Sequence, residues 1–272
     1  RINSWSPFRY DLAVQSTADL TALSSIFPLG TALKGSAGFQ GSISGEGEKY
    51  TISGKADSGE LSAEGVYLKG LNISATASGV NAAYEANGTA IAELLTAGDF
   101  RVEFPRLTGN VRGTGYDFRW LGELQAIAVQ SKAGTIMGLY LKDALAELKD
   151  RELNAKAGSG FAREFDIARS SFRNLRADEL SLAMKSGGFL LSSPYAAADA
   201  FRTKDYELRK LAGRKLTVEN RNGKTTVFAA DLTSDTALFG DTRLTGVSAD
   251  RFDFTDLPAE TRAIALTMKL KI

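Results

Sequence analysis

The sequence of 272 residues contains neither cysteine nor histidine. Without cysteine there is no disulfide framework, thiolate zinc site, iron–sulfur cluster or thiol nucleophile. Without histidine the Ser-His-Asp triad, the common zinc centres and the facial iron triad are excluded as well. Catalysis would have to run on carboxylates, Lys, Arg, Tyr or Ser, so the composition points to a non-enzymatic protein with no cofactor and no metal. A charge excess is missing too: 33 Lys and Arg face 32 Asp and Glu, a formal net charge of +1. That balance argues against nucleic acid as a partner. No apolar run approaches the roughly 18 residues of a membrane-spanning helix. Residues Arg1 to Tyr10 show neither the apolar core nor the cleavage site of a signal peptide. Arg262 to Ile272 reads as strand up to the last residue, and the chain is expected to be a piece of a longer protein.

Proline is scarce, at 5 residues, while glycine reaches 27. Strands are therefore rarely interrupted, and turns fall to Gly, Asn and Asp. Between turns, apolar and polar residues alternate with period two, the pattern of strands with one sheltered face. Phe100, Val102 and Phe104 interleave with Asp99, Arg101 and Glu103; Leu180, Leu182 and Met184 with Ser181, Ala183 and Lys185. Ile264, Leu266, Met268, Leu270 and Ile272 form the cleanest series, and Leu71, Ile73, Ala75 and Ala77 another. Asn222-Gly223 predicts a two-residue hairpin turn with Arg221 opposite Lys224, Val218 opposite Val227 and Leu216 opposite Ala229. Short helices are expected over Ser16–Phe27, with Thr17 or Asp19 as a cap, over Ile91–Ala97, and over the Ala-rich stretch Pro194–Leu211.

Leu139–Asp150 favours helix by propensity but reads as strand because of an internal repeat. Gly65-Val66-Tyr67-Leu68-Lys69 recurs 73 positions later as Gly138-Leu139-Tyr140-Leu141-Lys142. Repeated strand units that cannot each close a core must stack on their neighbours, which predicts an extended sheet. The Gly-rich stretch from Gly35 to Gly54 lacks the Gly-Lys-Ser/Thr ending of a phosphate loop and is read as turn glycine. Asp250 with Asp253 and Asp231 with Asp235 are the carboxylate pairs a glycan hydrolase would need, yet surface solvation explains them equally well. Basic residues between Arg202 and Lys215 read as a wet face, with head-group contact as the sharper alternative. Tyr116, Phe118 and Trp120 share one strand face.

Over residues 10–90 the sequence resembles the AsmA/TamB family. The resemblance lies in Asp19-Leu20-Thr21-Ala22-Leu23, Phe27-Pro28-Leu29-Gly30, and Leu33-Lys34-Gly35 through Gly41-Ser42-Ile43-Ser44-Gly45, followed by short strands at 60–64, 67–69 and 70–75. It implies an elongated sheet bent into an apolar groove in the periplasm of a two-membrane envelope. It also implies lipid acyl chains as ligand, outer-membrane assembly proteins as partners, and a membrane tether through flanking regions. The chain departs from the family in having no anchoring helix at its amino end and few recognisable repeats after residue 185.

Together these readings predict a mainly β fold: an elongated, curved, mostly antiparallel sheet, groove-like or sandwich-like, with a few short helices. One domain over 1–272 is expected, with a possible subdivision into 1–190 and 191–272. The residues expected to line a lipid groove are Phe100, Val102, Phe104, Leu180, Leu182, Ile264, Leu266, Met268 and Leu270. A closed β-scaffold or adhesion domain without lipid is the alternative, and carboxylate-based glycan hydrolysis a remote one. An outer-membrane barrel is not expected, because its strands run near ten residues with aromatic girdles and the strands here read as shorter.

Overall fold

The computed structural model describes residues 2–5, 8–22, 33–115, 117–149, 152–167, 169–185, 188–221, 224–256 and 264–271. Nearly all of them are strand, and every registered strand pair is antiparallel. The chain divides into two compact units: unit 1 comprises residues 1–127 and 147–151, unit 2 residues 128–146 and 152–272. The break lies within two strands.

Unit 1 contains β1 (Ile2–Trp5), β2 (Phe8–Asp19), β3 (Lys34–Glu46), β4 (Lys49–Ala63), β5 (Val66–Val80), β6 (Ala83–Ile91), β7 (Leu94–Ala97), β8 (Phe100–Glu103), β9 (Arg106–Thr114) and most of β10 (Asp117–Ser131). Strands β2, β3, β4, β5, β6, β9 and β10 follow one another as hydrogen-bonded neighbours, and the small β7–β8 hairpin continues along β5 where β6 stops. The register aligns Tyr10, Gly45, Tyr50, Gly79, Tyr84, Gly113 and Phe118 in one row across seven strands. A Cβ on Gly45 or Gly113 would fall 2.5 Å from the hydroxyl of Tyr10 or Tyr84. Each ring thus lies flat over a glycine of the next strand, which shields its bare backbone.

Four residues along the strands a second row reads Val14, Gly41, Gly54, Ala75, Gly88, Gly109 and Gly122. A Cβ on Gly41 would meet the Gly54 Cα at 2.7 Å, and one on Gly109 would meet the Gly122 Cα at 2.7 Å. Backbones so close on one side mean that the sheet bends toward that side, and from β3 to β10 only glycine or alanine occupies the crease. The glycines read as turn residues therefore serve mainly inside strands: of Gly35, Gly38, Gly41, Gly45, Gly47 and Gly54, only Gly47 lies in a turn.

Unit 2 contains most of β11 (Gly134–Lys149), then β12 (Glu152–Ile167), β13 (Ser170–Lys185), β14 (Gly188–Arg202), β15 (Tyr206–Arg221), β16 (Lys224–Phe239), β17 (Thr242–Asp256) and β18 (Ile264–Lys271), paired in sequence order. These strands, up to 16 residues long, overturn the expectation of short ones. An outer-membrane barrel turns an apolar band outward, whereas the face of unit 1 opposite the crease carries the polar row Ser42, Ser53, Thr76, Asn87 and Asn110.

A repeat exists in unit 2, but with another period. Left-handed backbone recurs at Gly138, Asn174, Lys210 and Gly246, each 36 positions after the last, and again at Asp143, Glu179 and Lys215. They lie inside β11, β13, β15 and β17, at corresponding positions of successive hairpins. The buried positions opposite follow suit: Ala157, Ser193 and Ala229 form one series, Ala162, Ala198 and Ser234 another. Where serine occupies them, its hydroxyl donates to the carbonyl just before the left-handed residue and to one two positions along its own strand, Ser193 to Asp178 O and Tyr195 O and Ser234 to Arg209 O (2.8 Å) and Thr236 O (2.9 Å). The expected 73-residue match is not structurally equivalent, since Gly65 lies in the β4–β5 turn and Gly138 inside β11.

The expected helix over Pro194–Leu211 is replaced by the end of β14, a turn and the start of β15. Ala196, Ala198 and Ala200 are buried while Asp199 is exposed, so pairing on both sides overrides alanine's helix propensity. Thr203 makes the turn, its Oγ1 accepting the N–H of Asp205 and of Tyr206 at 3.2 Å each. Ile91–Ala97 is no helix either. Of Ser16–Phe27 only 20–22 are helical, capped by Asp19 Oδ1 on Thr21 N (2.8 Å), and 23–27 lie outside the described residues. Leu139–Lys149 is strand as expected. The hairpin register holds for Arg221 with Lys224 and Val218 with Val227; a bulge between Arg214 and Thr217 intervenes near Leu216.

Candidate functional site

The two units treat their apolar faces differently. In unit 2 the lining is packed: Phe165, Phe172, Phe201, Leu208, Val218 and Val227 are buried together. Rings of Phe165, Phe172, Phe201, Tyr206 and Phe239 stack strand to strand with centroids 4.6–6.0 Å apart. The hollow left among them has room for only about 30 Å³, far too little for an acyl chain. Burial lifts the Tyr206 hydroxyl to about 12.

In unit 1 the bent face stays open. Between tyrosine row and crease runs a third row, Leu12, Ile43, Ile52, Ala77, Ala86, Val111 and Trp120; beyond the crease a fourth, Ser16, Phe39, Ala56, Ile73, Ala90, Leu107 and Leu124. None of the residues in these four rows is buried, although all but a few are apolar. Facing rows on either side of a crease make a trough running across the strands. Seven strands at roughly 4.8 Å spacing give it a length of about 30 Å.

At the hairpin-tip end of unit 1 a cleft of about 1080 Å³ opens, lined by Tyr50, Tyr84 and Phe118 and rimmed by charged groups. There Glu85 accepts from Arg112 Nη2 and Asn110 Nδ2, both 2.9 Å away, which hold its carboxyl below the usual range. Arg119 pairs with Glu147 at 3.3 Å. Burial, with Tyr50 close by, raises the Tyr84 hydroxyl. An arginine-held carboxylate is poorly suited to act as a proton donor.

Phe100 and Val102 lie half-buried on β8 opposite Ala97 and Leu95, in unit 1. Phe104 stands outward, bent away by a left-handed backbone (φ 49°). Leu180 and Leu182 lie half-buried in unit 2 opposite Ala157 and Ala155. Ile264, Leu266, Met268 and Leu270 sit on β18, with side chains outside the described residues. The carboxylate pairs do not converge on a common point: Asp253 is held by Arg251 on its own strand, and Asp231 occupies a bulge. Half of the basic stretch is ion-paired, Arg202 and Arg209 with Glu207 (2.8 and 2.7 Å) and Lys210 with Asp199 (3.1 Å). Glu207 is pushed down by Arg202 and Arg209, and Asp199 by the Asn174 amide (2.8 Å) and then by Lys210. No acidic cluster suited to a metal occurs among the described residues. The tyrosine and glycine rows went unread in the sequence; Tyr50 and Tyr84, and Gly79 and Gly113, are each 34 residues apart, a spacing that signals them.

Comparison with protein-family models, curated proteins and solved structures returned no match.

Proposed function

We propose that the chain is a non-enzymatic, lipid-handling module of the cell envelope, in which unit 1 holds acyl chains in its open trough. The observation that carries this reading is the apolar face of unit 1, only half-buried along its four rows, against the filled one of unit 2. Extensive exposed apolar surface marks an interaction site, and each methylene taken from water contributes roughly 0.8 kcal/mol. A trough of about 30 Å matches the thickness of a bilayer's hydrocarbon core, two acyl chains end to end. Periplasmic placement, a tether through flanking regions and partnership with outer-membrane assembly proteins belong to the same proposal and rest on the family resemblance. The packed core of unit 2 favours a second reading for that unit alone, a closed scaffold that carries no ligand.

Native mass spectrometry of gently purified protein tests the proposal. Phospholipid or fatty acid is expected to travel with the wild-type chain and to be lost on Ile52→Asp, with the fold retained by circular dichroism. A lipid-free wild-type protein, or lipid retained undiminished by the variant, contradicts it.

A further inference from the structure

Beside β8 the outer face of unit 1 changes character. Ala92, Pro105 and Ala126 are buried at one level, and the residues flanking them, Ile91, Phe104, Arg106 and Ile127, all turn outward. The register places Ile91 and Gln125 on either side of Arg106, and the Phe104 N–H donates to Glu93 O at 2.9 Å, continuing the same ladder. Phe104 is 52% exposed, Ile127 51% and Ile91 39%. Phe104 also holds φ at 49°, a conformation that disfavours a bulky side chain. Backbone strain that presents an aromatic ring to water has no packing rationale and points to use.

The local charges complete the picture. Glu93 is paired with Lys69 (3.5 Å) and Glu103 with Arg101 (3.1 Å). Arg106 has no partner among the described residues. An aromatic wedge and two aliphatic side chains around an unmatched guanidinium complement a surface that is greasy below and anionic above. We propose that this patch docks unit 1 on the face of an anionic phospholipid bilayer. The inference rests on the lipid-handling reading and extends it: the trough holds the chains, and the patch brings the module to the membrane that supplies or receives them.

Flotation of the full chain with phosphatidylcholine vesicles, with and without 30% phosphatidylglycerol, tests it. Binding is expected only with the anionic lipid and to weaken as salt rises. Phe104→Gly suits a left-handed backbone, so the variant is expected to fold at least as stably as wild type while binding vesicles about tenfold more weakly. Arg106→Gln should remove the preference for phosphatidylglycerol. Vesicle binding unchanged in Phe104→Gly overturns the proposal, as does binding indifferent to phosphatidylglycerol. A Phe104-dependent dimer in vesicle-free solution also overturns it, giving the patch to a second copy. Lipid retention by Phe104→Gly in the mass spectrometer keeps the two readings apart: retained lipid with lost flotation supports both, and retained lipid with intact flotation removes the docking patch alone.

Discussion

Unit 1 and unit 2 are built from the same material, long antiparallel hairpins with period-two patterning, yet one leaves its apolar face open and the other fills it. The difference lies in what stands between the large side chains. Unit 2 packs Phe172, Phe201, Leu208 and Val218 together on its sheltered face and carries left-handed residues inside its strands at Asn174, Glu179, Lys210 and Lys215. Unit 1 sets its large residues, among them Phe39, Ile43, Ile52 and Trp120, in rows on either side of a crease through Gly41, Gly54, Gly88 and Gly109. A glycine crease brings backbones together and leaves space above them, whereas unit 2 fills that space with side chains.

Truncation should separate the two units most strongly. Phe201→Ala opens a cavity in a closed core and is expected to cost about 3–5 kcal/mol by urea unfolding, while Ile52→Ala should cost about 1 kcal/mol or less. Equal losses would erase the distinction. Enlargement comes next. Gly54→Val drives a side chain into the backbone of Gly41 and should destabilise unit 1 by roughly 2–3 kcal/mol, with proteolysis or hydrogen exchange locating the damage on β3 and β4.

A smaller effect follows from Tyr206. Its folded-state value of about 12 lies above the unfolded value of 10, so the neutral hydroxyl favours the folded state. That stability is complete below pH 10 and is lost as pH rises toward 12. Tyr206→Phe should flatten the alkaline limb of the stability profile; a limb unchanged by the substitution contradicts the assignment. Smallest is the left-handed backbone: Lys210→Gly should gain roughly 0.5–1 kcal/mol, because Gly138 and Gly246 already fill the equivalent positions.

Much of the fold was legible because burial alternates. The Arg221–Lys224 hairpin and the β13 and β18 strands follow from pattern alone. Pro194–Leu211 misled because alanine favours helix by propensity and says little about which face is covered. Pro194 sits where no β13–β14 pair forms, opposite the left-handed Glu179, so its missing N–H disturbs no ladder. The 36-residue repeat was hidden because equivalent positions keep conformation and burial but not identity: Gly138, Asn174 and Lys210 share only φ, Phe201 and Ala237 only depth. The trough was hidden for another reason, since its rows become visible only when seven strands are in register.

The absence of native cysteine allows the central claim to be probed one position at a time. Maleimide labelling of Ala77→Cys in unit 1 and Ala229→Cys in unit 2 compares the two faces directly. The open-trough account predicts rapid labelling at 77 in delipidated protein, strong protection when fatty acid is added, and no labelling at 229 in either state. Slow labelling at 77 without lipid, or labelling that added fatty acid leaves unchanged, would contradict it.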